Sequence, residues 1–170
     1  MPISYQKEIE AILDVLKKLG KSIGFRSASK ADLAYLRKAG YPDSVCDFYR
    51  KSEPITDVEI NGVRLFSISE LQRYNRDAIP CYIIAPMGYR VIADTVFGDA
   101  YCIDLNSIDS DGQPGVVLAG HDEIFEGATE DEIRAAIVEI TDTFREFLRR
   151  FASKDLAQYI YDIRQDYNSK

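Results

Sequence analysis

Apolar residues recur at helical spacing from the start of the chain. Ile9, Ile12, Leu13, Leu16 and Leu19 follow Ser4 as a cap, with Lys17 and Lys18 in the last turn and Gly20 as the stop. A one-faced surface helix is predicted. Ser29 and Asp32 then form a capping box for KADLAYLRKAG, and Pro42 opens a further helical segment, PDSVCDFYRK, with Val45, Phe48 and Tyr49 on one side. Alternation replaces this period at TDVEINGVRLFSI, where Val58 and Ile60 lead into Asn61 and Gly62, and Val63 and Leu65 lead out. An Asn-Gly pair between alternating runs specifies a type I′ hairpin.

Ser67 and Glu70 repeat the capping-box spacing ahead of a short helix, SELQRYN. Four apolar runs follow, AIPCYIIAP, GYRVIADTV, DAYCIDL and PGVVLAG. Short turns join them with no crossover helix, so they are expected to pair antiparallel as a meander. Thr129 and Glu132 make another capping box, after which Ile133, Ile137, Ile140, Phe144, Phe147, Leu148 and Phe151 stripe a predicted helix of roughly twenty residues. Ser153 is expected to cap a last helix carrying Leu156, Ile160 and Ile163, and DYNSK reads as a frayed tail. The fold class is α+β: a central, mainly antiparallel sheet with helices at the N- and C-terminal ends, in one domain over residues 1–170.

A chain of 170 residues that is 46% apolar can build its core without disulfides or a structural metal. Its formal net charge of −7 argues against nucleic acid as a partner, because phosphate binding needs clustered Lys and Arg. A basic protein suits that charge better. Cys46, Cys81 and Cys102 are odd in number, far apart and without a C-x-x-C pair, so they read as reduced core thiols of a cytoplasmic protein. The N-terminus runs straight into the amphipathic pattern, and the most apolar stretch, AIPCYIIAPMGYRVIA, is interrupted by Pro80, Pro86, Gly88 and Arg90. Neither a secretion signal nor a membrane span is expected.

The densest chemistry lies in DTVFGDAYCIDLNSIDSDG, where Asp94, Asp99, Asp104, Asp109 and Asp111 alternate with apolar residues. With Gly112 as the sharp-turn glycine of a calcium loop, Ser107 and Leu118 would fall at the outer ligand positions. The closing bidentate carboxylate is then missing, and Asp109 and Asp111 read as turn chemistry. His121, the only histidine, leaves no multi-histidine metal site; a nucleophile-elbow pattern and a phosphate-binding glycine loop are both lacking. No metal, cofactor or catalytic residue is assigned. Strand parity places Tyr101, Ile103 and Leu105 on one face and Cys102 and Asp104 on the other, so that Asp104 lines an open face. Asp94 and Asp99 bracket a hairpin turn, where a glycosidase-like carboxylate pair remains an alternative to solvated strand-end acids. Tyrosines, among them Tyr89, Tyr101, Tyr159, Tyr161 and Tyr167, offer interface anchors or boundary-layer core residues.

LRKAGYPDSVCDFYRKSEPI, VRLFSISELQRYN and YRVIADTVFGDAYCIDLNSIDSDGQPGVVLAGHDE, followed by EIRAAIVEITDTFREFLRRF, together resemble the SUKH superfamily. This is the Smi/Knr-like group of bacterial immunity proteins and fungal cell-wall regulators. The first segment is similar to that family's helix-loop-helix opening, the second to its strand-then-helix step and the third to its central meander. The resemblance implies a non-enzymatic protein-binding domain, an immunity protein that neutralises a cognate toxin, such as a basic nuclease, by direct binding. In that case Asp94, Asp99, Asp104, Asp109 and Asp111 are the candidate contacts, with Tyr89 or Tyr101 as anchors. Two alternatives stay open: an intracellular regulator or scaffold of the same fold, and a hydrolase using the carboxylates.

Overall fold

The computed structural model describes residues 1–22, 24–56 and 58–168. Helices α1 (Gln6–Lys18), α2 (Lys30–Lys38) and α3 (Asp43–Ser52) open the chain, with a small ribbon of β1 (Phe25–Arg26) and β2 (Glu53–Pro54). After them come β3 (Val58–Ile60), β4 (Val63–Leu65), α4 (Ile68–Asp77), the single turn α5 (Cys81–Ile84), β5 (Tyr89–Thr95), β6 (Ala100–Ile108) and β7 (Pro114–Ala119). The chain closes with α6 (Glu130–Ala135), β8 (Ile137–Thr141), α7 (Phe144–Ala152) and α8 (Ile160–Asn168). Strands β3 to β8 lie in chain order in one six-stranded sheet. Every neighbouring pair is antiparallel. The fold is α+β, and three of the four predicted runs, GYRVIADTV, DAYCIDL and PGVVLAG, pair antiparallel as β5, β6 and β7.

Local chemistry explains most of the elements. Asn61 and Gly62 both take left-handed φ, 49° and 77°, as the hairpin between β3 and β4 requires. Ser29 with Asp32, and Thr129 with Glu132, each close a reciprocal capping box. Ser4 caps nothing: α1 begins after Tyr5, whose hydroxyl donates to Ser44 O at 2.9 Å. Ser67 and Glu70 likewise do not form their box. Glu70 turns to Arg73, and the buried carboxylate of Glu53 instead accepts the Ile68 amide at 3.2 Å.

Two predicted elements are corrected. AIPCYIIAP does not form a strand; Pro80 ends the approach to α5 and Pro86 sits in a following 3-10 turn, two places where a missing amide costs nothing. The long helix expected from Ile133 to Phe151 is three elements, α6, β8 and α7, because Ile137–Thr141 pairs with β7. Ser153 ends α7 and does not start α8. Of the tail expected over DYNSK, Ser169 and Lys170 lie outside the described residues, while α8 extends to Asn168.

Both faces of the central strands are covered. Tyr101 packs on Phe147 of α7 at 5.4 Å between ring centroids, on the face where Tyr5, Phe48 and Phe144 cluster edge to face. On the other face Cys81 of α5 sits against Cys102, and the Tyr41 hydroxyl donates to Val91 O at 2.7 Å. Cys46, Cys81 and Cys102 are free and buried. Among the described residues no helix is long and apolar enough to cross a membrane.

Candidate partner-binding surface

The five aspartates of the meander do not share one face. Asp94 receives Arg64 through Nε at 3.0 Å and Nη2 at 2.8 Å, and the Tyr74 hydroxyl donates to it at 3.3 Å. The Arg64 guanidinium is stacked over Phe66 and held charged by Asp94. Asp99 is 0% exposed. It accepts the His121 amide at 3.1 Å, the His121 ring at Nδ1 at 2.8 Å and the Ile160 amide at 2.8 Å. Asp94 and Asp99 therefore have separate partners, and no paired-carboxylate centre forms between them.

Asp104, Asp109 and Asp111 lie at the opposite end of β6. Asp104 is half-buried and accepts from the amide and side chain of Asn106 at 2.8 and 2.9 Å. Asp109 folds the β6–β7 turn onto itself, accepting the Asp111 amide at 2.9 Å and the Gln113 amide at 2.8 Å. The base of this turn is fixed by buried contacts. Ser44 Oγ donates to Gly112 O at 2.7 Å, Gln113 Nε2 donates to the Tyr5 hydroxyl at 2.8 Å, and the Arg145 amide donates to Gln113 Oε1 at 3.2 Å. Asp111 projects from this anchored turn into solvent. Among the described residues no group of three His, Cys, Asp or Glu side chains is placed to hold a metal ion.

The tyrosines split in the same way. Tyr101 is fully buried and donates to Ala157 O at 2.6 Å, which, with the burial of Asp99, corrects the expectation that both reach a partner. Tyr89 is 7% exposed and pairs with Asp104 across β5 and β6. Burial raises its phenol first, the nearby Asp104 charge adds to that, and Arg134 opposes it. At the far end of the sheet, Phe97 is 53% exposed at the β5–β6 turn and stacks on Tyr159, which meets Tyr161. The side chain of Tyr167 lies outside the described residues.

The pattern missed Glu139 and Asp142. Together with Asp104 they line a cleft where β7 begins and β8 ends beside β6. Reading IVEIT as helix hid them; four β-branched residues in five, directly before a Thr143 cap, are the signal for a strand. Asp104, Asp109, Asp111, Glu139 and Asp142 share a further property. Among the described residues none of them is ion-paired. By contrast, the buried carboxylates of Glu8 and Glu53 are each held by arginine, Glu8 by Arg145 and Arg149 and Glu53 by Arg26.

Set beside known proteins, the chain matches the model of the SMI1/KNR4 family (SUKH-1) over residues 34–150, from within α2 through most of α7. No curated protein matches it.

Proposed function

The chain belongs to the SMI1/KNR4 family (SUKH-1), and on that premise we propose that it is a non-enzymatic binding protein: an immunity protein that neutralises a basic toxin domain by direct contact. The observation that carries this reading is the unpaired acidic cleft lined by Asp104, Glu139 and Asp142, with Asp111 exposed on the anchored β6–β7 turn. Carboxylates already engaged inside the fold, Asp94 by Arg64 and the buried Asp99 by three N–H groups, are not available to a partner. Unpaired ones on a rigid rim steer a cationic surface and reject an acidic one. The net charge of −7 acts in the same direction at longer range.

Binding here needs no catalytic residue and no cofactor, and it places the action where the toxin is made, in the cytoplasm. The test is co-expression with any toxin-like domain that a neighbouring gene encodes, reading complex formation by pull-down and protection from growth arrest. Both are expected with the native chain and lost with Asp104→Lys, Asp111→Lys and Glu139→Lys combined. A folded triple variant that still binds and protects removes the acidic end from the function. The absence of any complex with the native chain removes the neutralisation reading itself.

A further inference from the structure

Strand β8 is the last in the sheet order and is paired on one side only. Its hydrogen-bonding phase follows from one bond and the register. Gly120 N–H donates to Ala136 O at 2.9 Å, and Ala119, Leu118 and Val117 stand opposite Ile137, Val138 and Glu139. Val138 therefore directs its amide and carbonyl into β7, while those of Ile137 and Glu139 point away from the sheet. Among the described residues nothing bonds these outward groups. Arginines close both ends of the stretch: Arg150 donates to Ile140 O at 3.1 Å, and Arg164 donates to Ala135 O. Between them the edge has neither the proline nor the lysine that usually guards one, and its β-branched side chains are half-exposed.

We propose that this edge receives an extended segment of the protein partner as an added strand, with a Lys or Arg of that segment opposite Glu139. Charge selects this occupant. Glu139 is exposed, it stands on the rung of Val117 and Cys102 and so shares the face of Asp104, and Asp142 follows it. The cations nearby are already engaged, Arg134 by Glu130 and Arg145 by Glu8. A second copy fits less well. Centring a twofold pair on Glu139 opposes two carboxylates, centring it on Val138 leaves them diagonal neighbours on one face, and each copy brings a charge of −7. Backbone bonds to Ile137 and Glu139 give such a strand its affinity, and the side chain opposite Glu139 gives it selectivity.

The proposal rests on the partner-binding function, and its test is arranged to fail separately. The probe is a synthetic peptide alternating Val and Lys, with a Val and Glu peptide as control, read by amide hydrogen exchange. The Lys peptide is expected to slow exchange at Ile137 and Glu139 by about tenfold, leaving the already bonded Val138 unchanged, and the Glu peptide to do neither. Glu139→Pro removes one outward donor without touching the β7 ladder and is expected to abolish the effect at unchanged circular dichroism. Should that variant misfold, Glu139→Lys keeps every backbone group and is expected to reverse the peptide preference. No protection, protection by both peptides alike, or a Glu139→Lys chain with unaltered preference overturns the proposal. So does dimerisation in sedimentation that Glu139→Pro abolishes, because the edge then belongs to a second copy. If a toxin complex forms and Glu139→Pro leaves it intact, the edge proposal falls while neutralisation stands; if no toxin binds but the Lys peptide does, the reverse holds.

Discussion

Asp99 shows how a single side chain can look functional in sequence and be structural in space. A fully buried carboxylate is tolerated because three N–H groups point at it, two from His121 and one from Ile160. Asp99→Asn turns a donor toward one of those donors, and the expected cost is about 3 kcal/mol in chemical denaturation. Binding by the fraction that stays folded is expected to be unchanged, since the group never reaches the surface. Tyr5 makes a second prediction through its phenol, which burial pushes up to about 12, with the Gln113 hydrogen bond opposing. A pKa raised on folding stabilises the protein below the unfolded value near 10 and loses that contribution as pH climbs through the folded value. Stability should therefore fall between about pH 10 and 12, by on the order of 2 kcal/mol for this group. Tyr5→Phe should flatten that part of the curve in a pH series of melts.

Elements followed the sequence wherever a local code was complete. Both the Thr129–Glu132 and Ser67–Glu70 pairs have capping-box spacing, yet only the first closes: the Ser67 hydroxyl meets that of Ser69, Glu70 turns to Arg73, and Glu53 takes the neighbouring Ile68 amide from a distant part of the chain. Thr129→Ala is accordingly expected to cost about 1 kcal/mol and Ser67→Ala only a few tenths, measured by urea midpoints. The hairpin and the β5–β6–β7 meander were legible because turn residues and period-two alternation agree there. Strand β8 was not, because Ile133, Ile137 and Ile140 happen to continue the helical stripe of α7 into a segment whose fate is set by pairing with β7. Losing that strand also hid Glu139 and Asp142, two of the three acids of the cleft. For the same reason parity alone placed Asp104 on an open face. It could not know that Cys81 covers Cys102 and that the face opens only at its end.

At the scale of the molecule, charge is distributed by whether it is already spent. Arg64, Arg145 and Arg149 neutralise Asp94 and Glu8 within the fold, while the rim that carries Asp104, Glu139 and Asp142 around the cleft and Asp111 on the β6–β7 turn keeps its field. Two mechanisms of partner attraction follow from this, one using total charge and the other its position, and matched variants separate them. Asp111→Lys with Glu139→Lys alters the acidic end. Asp14→Lys with Glu59→Lys makes the same change in net charge away from that end, Asp14 on α1 beside Lys18 and Glu59 on β3, the other edge strand of the sheet, both of them exposed. If position governs encounter, the first pair lowers the association rate about tenfold at low salt and flattens its ionic-strength dependence, and the second stays within about twofold. Equal losses from the two pairs would mean that the partner senses only the overall −7, and the rim would lose its claim as the docking surface. Phe97→Ser, at the far end of β5 and β6, is the neutral-charge control: a loss of affinity there would move the contact to the aromatic patch of Phe97, Tyr159 and Tyr161.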